Sequence, residues 1–343
     1  VKDDTSGSSR TSESKKVKPS EIFDKDEKNE NGLHIGDFIN YDAGTWTSTE
    51  IDSIKTGLKT ELKTANGSAS SRPNDMFQFG GFGTGSSRNG NAFTASEYNF
   101  IKDASTGNAI TGWRVFDIDN AGNVILISAG NPEDYKFGYT NDYCGYIGEY
   151  ILTGNINSDW SSSEVSLYQK RDWGAYINST QKAISAIPLT KSKLDSWYTK
   201  YTNTPNANTF DRDTFRKIYS ENQYIKYQNI IDNYSEYCTA TAASANTIYD
   251  IFLKDRYLGK CFNATGGIRM LVTLSSDVTI LEEKSGTKTL TGGYMDTYGG
   301  NQTYNVWSLS TGDETDNSGI SDGKYNLSKE QSFDLGVIDL VAP

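Results

Sequence analysis

Gly112-Trp113-Arg114-Val115-Phe116-Asp117-Ile118-Asp119 runs through Asn120-Ala121-Gly122-Asn123 into Val124-Ile125-Leu126-Ile127-Ser128. Two apolar runs flank a short turn of Asn and Gly, the local signature of a β-hairpin. This is the clearest element in the chain, and it sets a β-rich reading for the rest. Asp117 and Asp119 stand like the opening of a calcium loop. However, Ala121 holds the fifth position and Ser128 the twelfth, where a bidentate Glu is needed, so no metal is expected.

Composition agrees with the hairpin. The chain has 22 Tyr, 14 Phe and 32 Gly against three Met and one His, a mix suited to strands joined by polar turns rather than to a helical bundle. Its 343 residues, 35% of them hydrophobic, allow one large domain or two smaller ones with a buried core. The fold class read from this is α+β, β-rich, with a few helices. A formal charge of -11 argues against a general nucleic-acid binder and against membrane surfaces. The short basic clusters Lys15-Lys16-Val17-Lys18 and Lys191-Ser192-Lys193 read as solvated faces. No stretch approaches the roughly 20 apolar residues that span a bilayer. Val1 is neither Met nor the head of a signal peptide, so the chain is read as mature or trimmed.

Residues 1–32 carry few large apolar side chains and much Ser, Lys, Asp and Glu, which predicts a disordered polar leader or tether. Order is expected from Leu33, where Leu33, Ile35, Asp37, Ile39 and Tyr41 alternate with His34, Gly36, Phe38, Asn40 and Asp42 as in a strand. The lone His34 is read as a structural strand residue. Thr47-x-x-Glu50 is a capping box, and Ile51, Ile54, Leu58 and Leu62 follow at helical spacing. The glycine-rich run from Gly80 to Ser87 lacks the Gly-Lys-Ser/Thr ending of a phosphate loop and reads as a surface loop.

Between Ile187 and Tyr237 the period becomes helical: Leu194, Trp197, Tyr198 and Tyr201 share a face, and Phe215 to Tyr234 suggest two further helices. Strands return at Thr247 to Leu253, Gly259 to Phe262 and Gly267 to Leu274. Thr287 to Leu290, Tyr304 to Leu309 and Phe333 to Val341 are further candidates in a small β-rich C-terminal region, residues 279–343.

Three segments together carry a resemblance. Gly36-Asp37-Phe38-Ile39-Asn40-Tyr41, the Trp113-Arg114-Val115 hairpin ending in Leu126-Ile127-Ser128, and Gly267-Ile268-Arg269-Met270-Leu271-Val272-Thr273-Leu274 resemble a family of uncharacterised secreted proteins of gut Bacillota. Their pattern reads GDYVNY, then WRV with a hairpin ending LIS, then GVRPVVSL. The last segment is also similar to the C-type-lectin-like fold of formylglycine-generating enzymes and of retroelement-diversified variable proteins. The resemblance implies a C-type-lectin-like mixed domain over residues 33–278, with a binding surface just before Gly267. It implies structural roles for Trp113, packed in the core, and for Arg269, hydrogen-bonded beneath the binding loops. The chain departs from the pattern at Cys238, where the family has Trp, at Ala242, where it has Pro, and at Met270, which replaces the Pro after Arg269.

The expected ligand-binding residues are Tyr249, Phe252, Asp255, Arg256, Tyr257, Lys260, Phe262 and Asn263, where aromatic faces mix with hydrogen-bonding groups. Alternation along a strand hides about half of such a set. Cys238 and Cys261 are the candidate disulfide and Cys144 the free thiol, the alternative being three separate buried thiols. No cofactor and no metal is expected, since three scattered Cys and one His make no zinc site. Catalysis is not expected either. His34 has no Ser or Cys partner, and carboxylates such as Glu133 and Asp134, or Asp172 beside Trp173, form no convincing glycosidase pair. The function read from the sequence is a non-enzymatic, adhesin-like binding module at a cell surface or on a phage particle, recognising a glycan or a protein. The alternative is a structural subunit of a surface filament, pilus or virion decoration, whose partners are copies of itself.

Overall fold

The structure is a computed structural model that describes residues 16–17, 22–23, 33–65, 77–82, 87–90, 101–137, 172–202, 230, 237–244, 247–251, 258–261, 265–292 and 300–309. It opens with β1 (Lys16–Val17), β2 (Ile22–Phe23), β3 (Leu33–His34) and β4 (Phe38–Ile39), followed by helix α1 (Ser48–Ala65). Next come β5 (Phe77–Phe82), β6 (Lys102–Asp103), the hairpin β7 (Trp113–Ile118) and β8 (Val124–Ser128), and β9 (Glu133–Phe137). Two 3-10 turns lead into β10 (Ala183–Pro188) and helix α2 (Lys191–Thr202). β11 (Tyr237–Ser244), β12 (Thr247–Ile251), β13 (Leu258–Cys261), β14 (Thr265–Ile268) and β15 (Met270–Leu274) follow. The long hairpin β16 (Ile280–Thr291) and β17 (Gln302–Leu309) completes the described chain.

The protein is β-rich with few helices. Among the described residues its main sheet has nine strands, in the order β1-β16-β17-β4-β7-β8-β15-β10, with β6 on β16. The sheet is mixed, because β4 runs parallel to β17 while its neighbour β7 is antiparallel to it. The predicted hairpin lies within it. Asp119 closes its turn by accepting from the Ala121 and Asn123 amides at 2.8 and 3.0 Å, and Gly122 takes the positive φ of 82° that the turn needs.

Trp113 to Phe116 are all buried, so the strand shows no alternation. A central strand covered on both faces has none to show. On one face Trp113 meets Tyr41 edge to face at 5.4 Å. On the other, Phe116 stacks on Trp197 of α2 at 5.5 Å, and the Trp197 indole donates to the Phe116 carbonyl at 2.7 Å. Arg114 is fully buried. Its Nε donates to the Gly36 carbonyl at 2.9 Å, and its guanidinium lies 4.5 Å from the centre of the Tyr304 ring. The fit is tight where the chain enters beside β7: a Cβ on Gly90, whose φ is +65°, would sit 2.1 Å from the Gly112 carbonyl oxygen.

Helix α1 begins as read. Thr47 is its cap: the Glu50 amide donates to Thr47 Oγ1 at 3.2 Å, and the Thr47 amide donates back to Glu50 Oε2 at 2.7 Å. Ile51 and Ile54 pack against the core. In the second predicted helix, Leu194 and Trp197 are fully buried and Tyr201 packs beside them. Of the residues between Phe215 and Tyr234, Ile230 alone is among those described.

Three expectations need correction. Residues 33–42 do not form one alternating strand: β3 and β4 are separated by a turn through Gly36 at φ 91°, and every residue from Leu33 to Ile39 is buried. Four residues of the leader are paired with other strands. Lys16 and Val17 pair with Leu281 and Ile280, and Ile22 and Phe23 pair with Leu33 and His34. Nor does a separate region begin at residue 279, since β16 and β17 are strands of the main sheet, joined to β1, β6 and β4. The division of the chain falls instead after Leu309. The candidate strand Phe333 to Val341 lies outside the described residues.

Candidate functional site

The second sheet has six strands in the order β13-β12-β11-β14-β9-β5. Two of the places where the chain passes between the sheets are the short connections from β8 to β9 and from β14 to β15, and polar groups are buried at both. Arg269 sits between β14 and β15 and is fully buried. Its Nε and Nη2 donate to the Ser128 carbonyl at 3.0 and 2.6 Å, and its Nη1 donates to the Ile230 carbonyl at 2.7 Å. Ser128 Oγ in turn accepts from the Met270 amide at 2.9 Å. Arg269 is therefore fixed by carbonyls from two distant parts of the chain. Trp113, the other residue given a structural role, is fully buried in the core.

Beside this seam, fully buried Glu133 accepts from the Tyr176 hydroxyl at 2.7 Å. The Tyr176 carbonyl accepts from the Tyr41 hydroxyl at 2.6 Å. Burial pushes the Tyr41 phenol up to about 12, against the opposing pull of the Asn178 amide, so it stays a neutral donor at any physiological pH. Lys288, on β16, lies 4.6 Å from the centre of the Phe38 ring and donates to the Thr111 carbonyl at 3.1 Å. Burial pulls its pKa down, Asp103 opposes that, and nearby Arg114 adds to it.

The register of the second sheet sorts its residues by face. Ile268 and Glu133 are paired and both buried, which identifies the inner face. Cys238 is paired with Ile268 and with Asp250, and Cys261 with Ile248, so both cysteines share that inner face. Tyr249 and Lys260 are directly opposite each other on the reverse face. The structure thus brings together these two members of the expected binding set. Phe252, Asp255, Arg256, Tyr257, Phe262 and Asn263 lie outside the described residues, as does Cys144.

The pairing also bears on the disulfide. Strand β12 separates Cys238 on β11 from Cys261 on β13, and Cys261 stands two residues beyond Gly259, the position in line with Cys238 through Asp250, which places the two more than about 10 Å apart, beyond two strand spacings. A disulfide needs Cα atoms within about 7 Å. The expected bridge does not fit this register.

The same alternation divides Glu133 from Asp134. Adjacent residues of β9, they lie on opposite faces and do not form a pair flanking one bond. Asp172 accepts from the Gly174 amide at 2.7 Å, closing a turn. His34 is buried, with its amide donating to Asp37 at 3.0 Å. Among the described residues, no group of three or more His, Cys, Asp and Glu is placed to hold a metal ion. No helix among them is long and apolar enough to cross a membrane.

Other positions that the register puts on the reverse face, among them Tyr237, Gly267, Asp134 and Lys136, were not part of the expected binding set. A signal was present in Glu133-Asp134-Tyr135-Lys136-Phe137, where charged and aromatic residues alternate, but which strands flank β9 is a long-range matter. No family model, no curated protein and no solved structure matches the chain.

Proposed function

We propose that the chain is a non-enzymatic binding module, exposed at a cell surface or on a phage particle, that recognises a glycan or protein through the second sheet and its loops. The observation that carries this reading is the opposed pair Tyr249 and Lys260 on the face turned away from buried Ile268 and Glu133. A tyrosine and a lysine at paired backbone positions bring together residue types that supply apolar area and a directed donor. The remaining candidates, Phe252, Asp255, Arg256, Tyr257, Phe262 and Asn263, fall in sequence between β12, β13 and β14 and lie outside the described residues. The resemblance to a C-type-lectin-like domain supports the same reading, with Arg269 as the anchor beneath the site. A glycan and cell-surface binding screen with the full chain tests it. Specific retention that weakens in Tyr249→Ala and Lys260→Ala supports the module, and retention on nothing in a broad screen overturns it.

One observation favours the alternative of a structural subunit in a filament, pilus or virion. Among the described residues β10 pairs with β15 alone, which leaves one strand edge open. Ile184 on that strand is 54% exposed, and Ala183 to Pro188 include no charged residue to deter pairing. Concentration-dependent polymerisation in sedimentation, lost in Ile184→Lys, would favour assembly over binding.

A further inference from the structure

Lys288 on β16 holds its amine against an aromatic ring and beside a second cation. Nζ lies 4.6 Å from the centre of the Phe38 ring, and the guanidinium of fully buried Arg114 lies 5.0 Å from the same centre. Two cations thus share one apolar contact. The register adds a carboxylate. Asp103 of β6 is opposite Leu290, and Lys288, two residues back along β16, is on the same face as Leu290. A local turn fixes Asp103, whose Oδ1 accepts from the Ser105 and Thr106 amides at 2.8 and 3.3 Å. Tyr304, across from Lys288 on β17, is buried. Beside the amine stands Gly112: a Cβ built there would meet Nζ and the Phe38 ring at 3.9 Å each, an ordinary contact distance. The glycine therefore leaves space next to Nζ, and Lys288, Thr111 and Gly112 are each partly exposed.

A lysine that served only to cover Phe38 could extend its ammonium into water. This one instead keeps Nζ on the Thr111 carbonyl, at 3.1 Å. Burial disfavours its charged form most, Asp103 opposes that, and Arg114 adds to it, with a lowered pKa as the result. Desolvation on an apolar surface and a neighbouring cation are the two means by which a lysine becomes a nucleophile. Both act here. Once neutral, the amine still has a donor for the Thr111 carbonyl and gains a lone pair.

We infer that Lys288 is a nucleophilic amine and a site of imine formation with small uncharged aldehydes. Its Nζ attacks the carbonyl carbon and the carbonyl π pair moves to oxygen. Both amine protons end on that oxygen as the C–O bond breaks, so water leaves and a C=N bond remains. No oxidant or reductant takes part. The Phe38 ring and the space over Gly112 suit a short aliphatic chain. This reactivity is independent of the binding-module reading.

Reductive labelling of the full chain with propanal and cyanoborohydride, followed by digestion and mass spectrometry over a range of pH, tests the inference. Cyanoborohydride traps each imine as a stable amine, so the propyl group marks the lysines that formed one. Exposed Lys193 is the internal comparison. At neutral pH Lys288 is expected to be labelled at least about threefold faster than Lys193, because the neutral amine is the reacting form. Its rate should also level off at a lower pH than that of Lys193, a readout that accessibility alone would not move. Asp103→Asn removes the charge that opposes deprotonation, keeps an acceptor for the turn, and should speed the labelling of Lys288 further. A rate short of the threefold margin, the same pH profile for both lysines, or unchanged or slower labelling in Asp103→Asn overturns the inference. Circular dichroism melting checks that variant, and the wild-type rates and profiles decide the matter if it does not fold.

Discussion

The Arg269 guanidinium donates twice to the carbonyl of Ser128, a residue 141 positions earlier in the chain. Ser128 ends β8 ahead of the connection to β9 and Arg269 lies between β14 and β15, so one side chain ties together two of the points at which the chain changes sheet. Removing it strands the Ser128 and Ile230 carbonyls in the interior. Arg269→Ala is expected to cost about 2–6 kcal/mol, at about 1–3 kcal/mol for each of the two buried carbonyls left unsatisfied. Arg269→Lys should recover little, because an ammonium cannot reproduce the planar fork. Urea unfolding measures both, and a loss below about 1 kcal/mol in the alanine variant would show that the clamp is not what holds the seam.

The cap of α1 makes a pH-dependent contribution. The Thr47 amide and hydroxyl bonds to Glu50 hold its carboxyl below the usual carboxylate range, with help from Arg88. A carboxyl whose folded value lies below its unfolded one stabilises the fold fully above the unfolded value, and less as pH falls through the folded value. Thr47→Ala is expected to cost about 1 kcal/mol at neutral pH. That cost should shrink on acidification below the ordinary glutamate range. Equal losses at neutral and acidic pH would contradict the charge-assisted bond.

Deletion of residues 1–32 removes the pairs formed by Lys16, Val17, Ile22 and Phe23. At about 0.5–1.5 kcal/mol for each backbone hydrogen bond, a loss of about 2 kcal/mol and a drop of several degrees in Tm are expected. Differential scanning calorimetry of the full and shortened chains gives the answer. An unchanged Tm would mean that these short pairings contribute nothing.

The register around β12 predicts that Cys238 and Cys261 are not bridged to each other. Alkylation without reduction, followed by digestion and mass spectrometry, should recover both as separately modified thiols. A linked peptide containing both would mean that β12 does not lie between them.

Sequence alone revealed the elements whose signals are local. The 113–128 hairpin follows from two apolar runs around Gly122, and α1 from Thr47 and Glu50. It did not reveal that Leu33 to Ile39 are buried at every position, because alternation reports one wet face, and β4 has a neighbour on each side and a core around it. The placement of β16 and β17 was hidden for a related reason: nothing in Thr287 to Leu290 specifies that their hairpin pairs with Phe38 and Ile39. In the candidate site, strand alternation was enough to expect that only some of the eight loop and strand residues would share a face. That Asp134 is a neighbour of Gly267 depends on β9 meeting β14, across more than a hundred residues of intervening chain, and no local pattern encodes it.

The strands nearest the two ends of the described chain are neighbours: β1 lies on β16, and β4 on β17. During synthesis β1 and β4 must therefore wait for β16 and β17, which come far later in the sequence. Until Val306 and Trp307 emerge, β4 lacks its parallel partner, and Asp37 lacks the Trp307 indole that donates to it at 2.9 Å. Long-range and parallel pairings of this kind are slow to form, because loop closure precedes any contact that rewards it. The half-made sheet meanwhile presents an uncovered apolar edge, so this chain would depend during synthesis on whatever keeps nascent strands from finding one another.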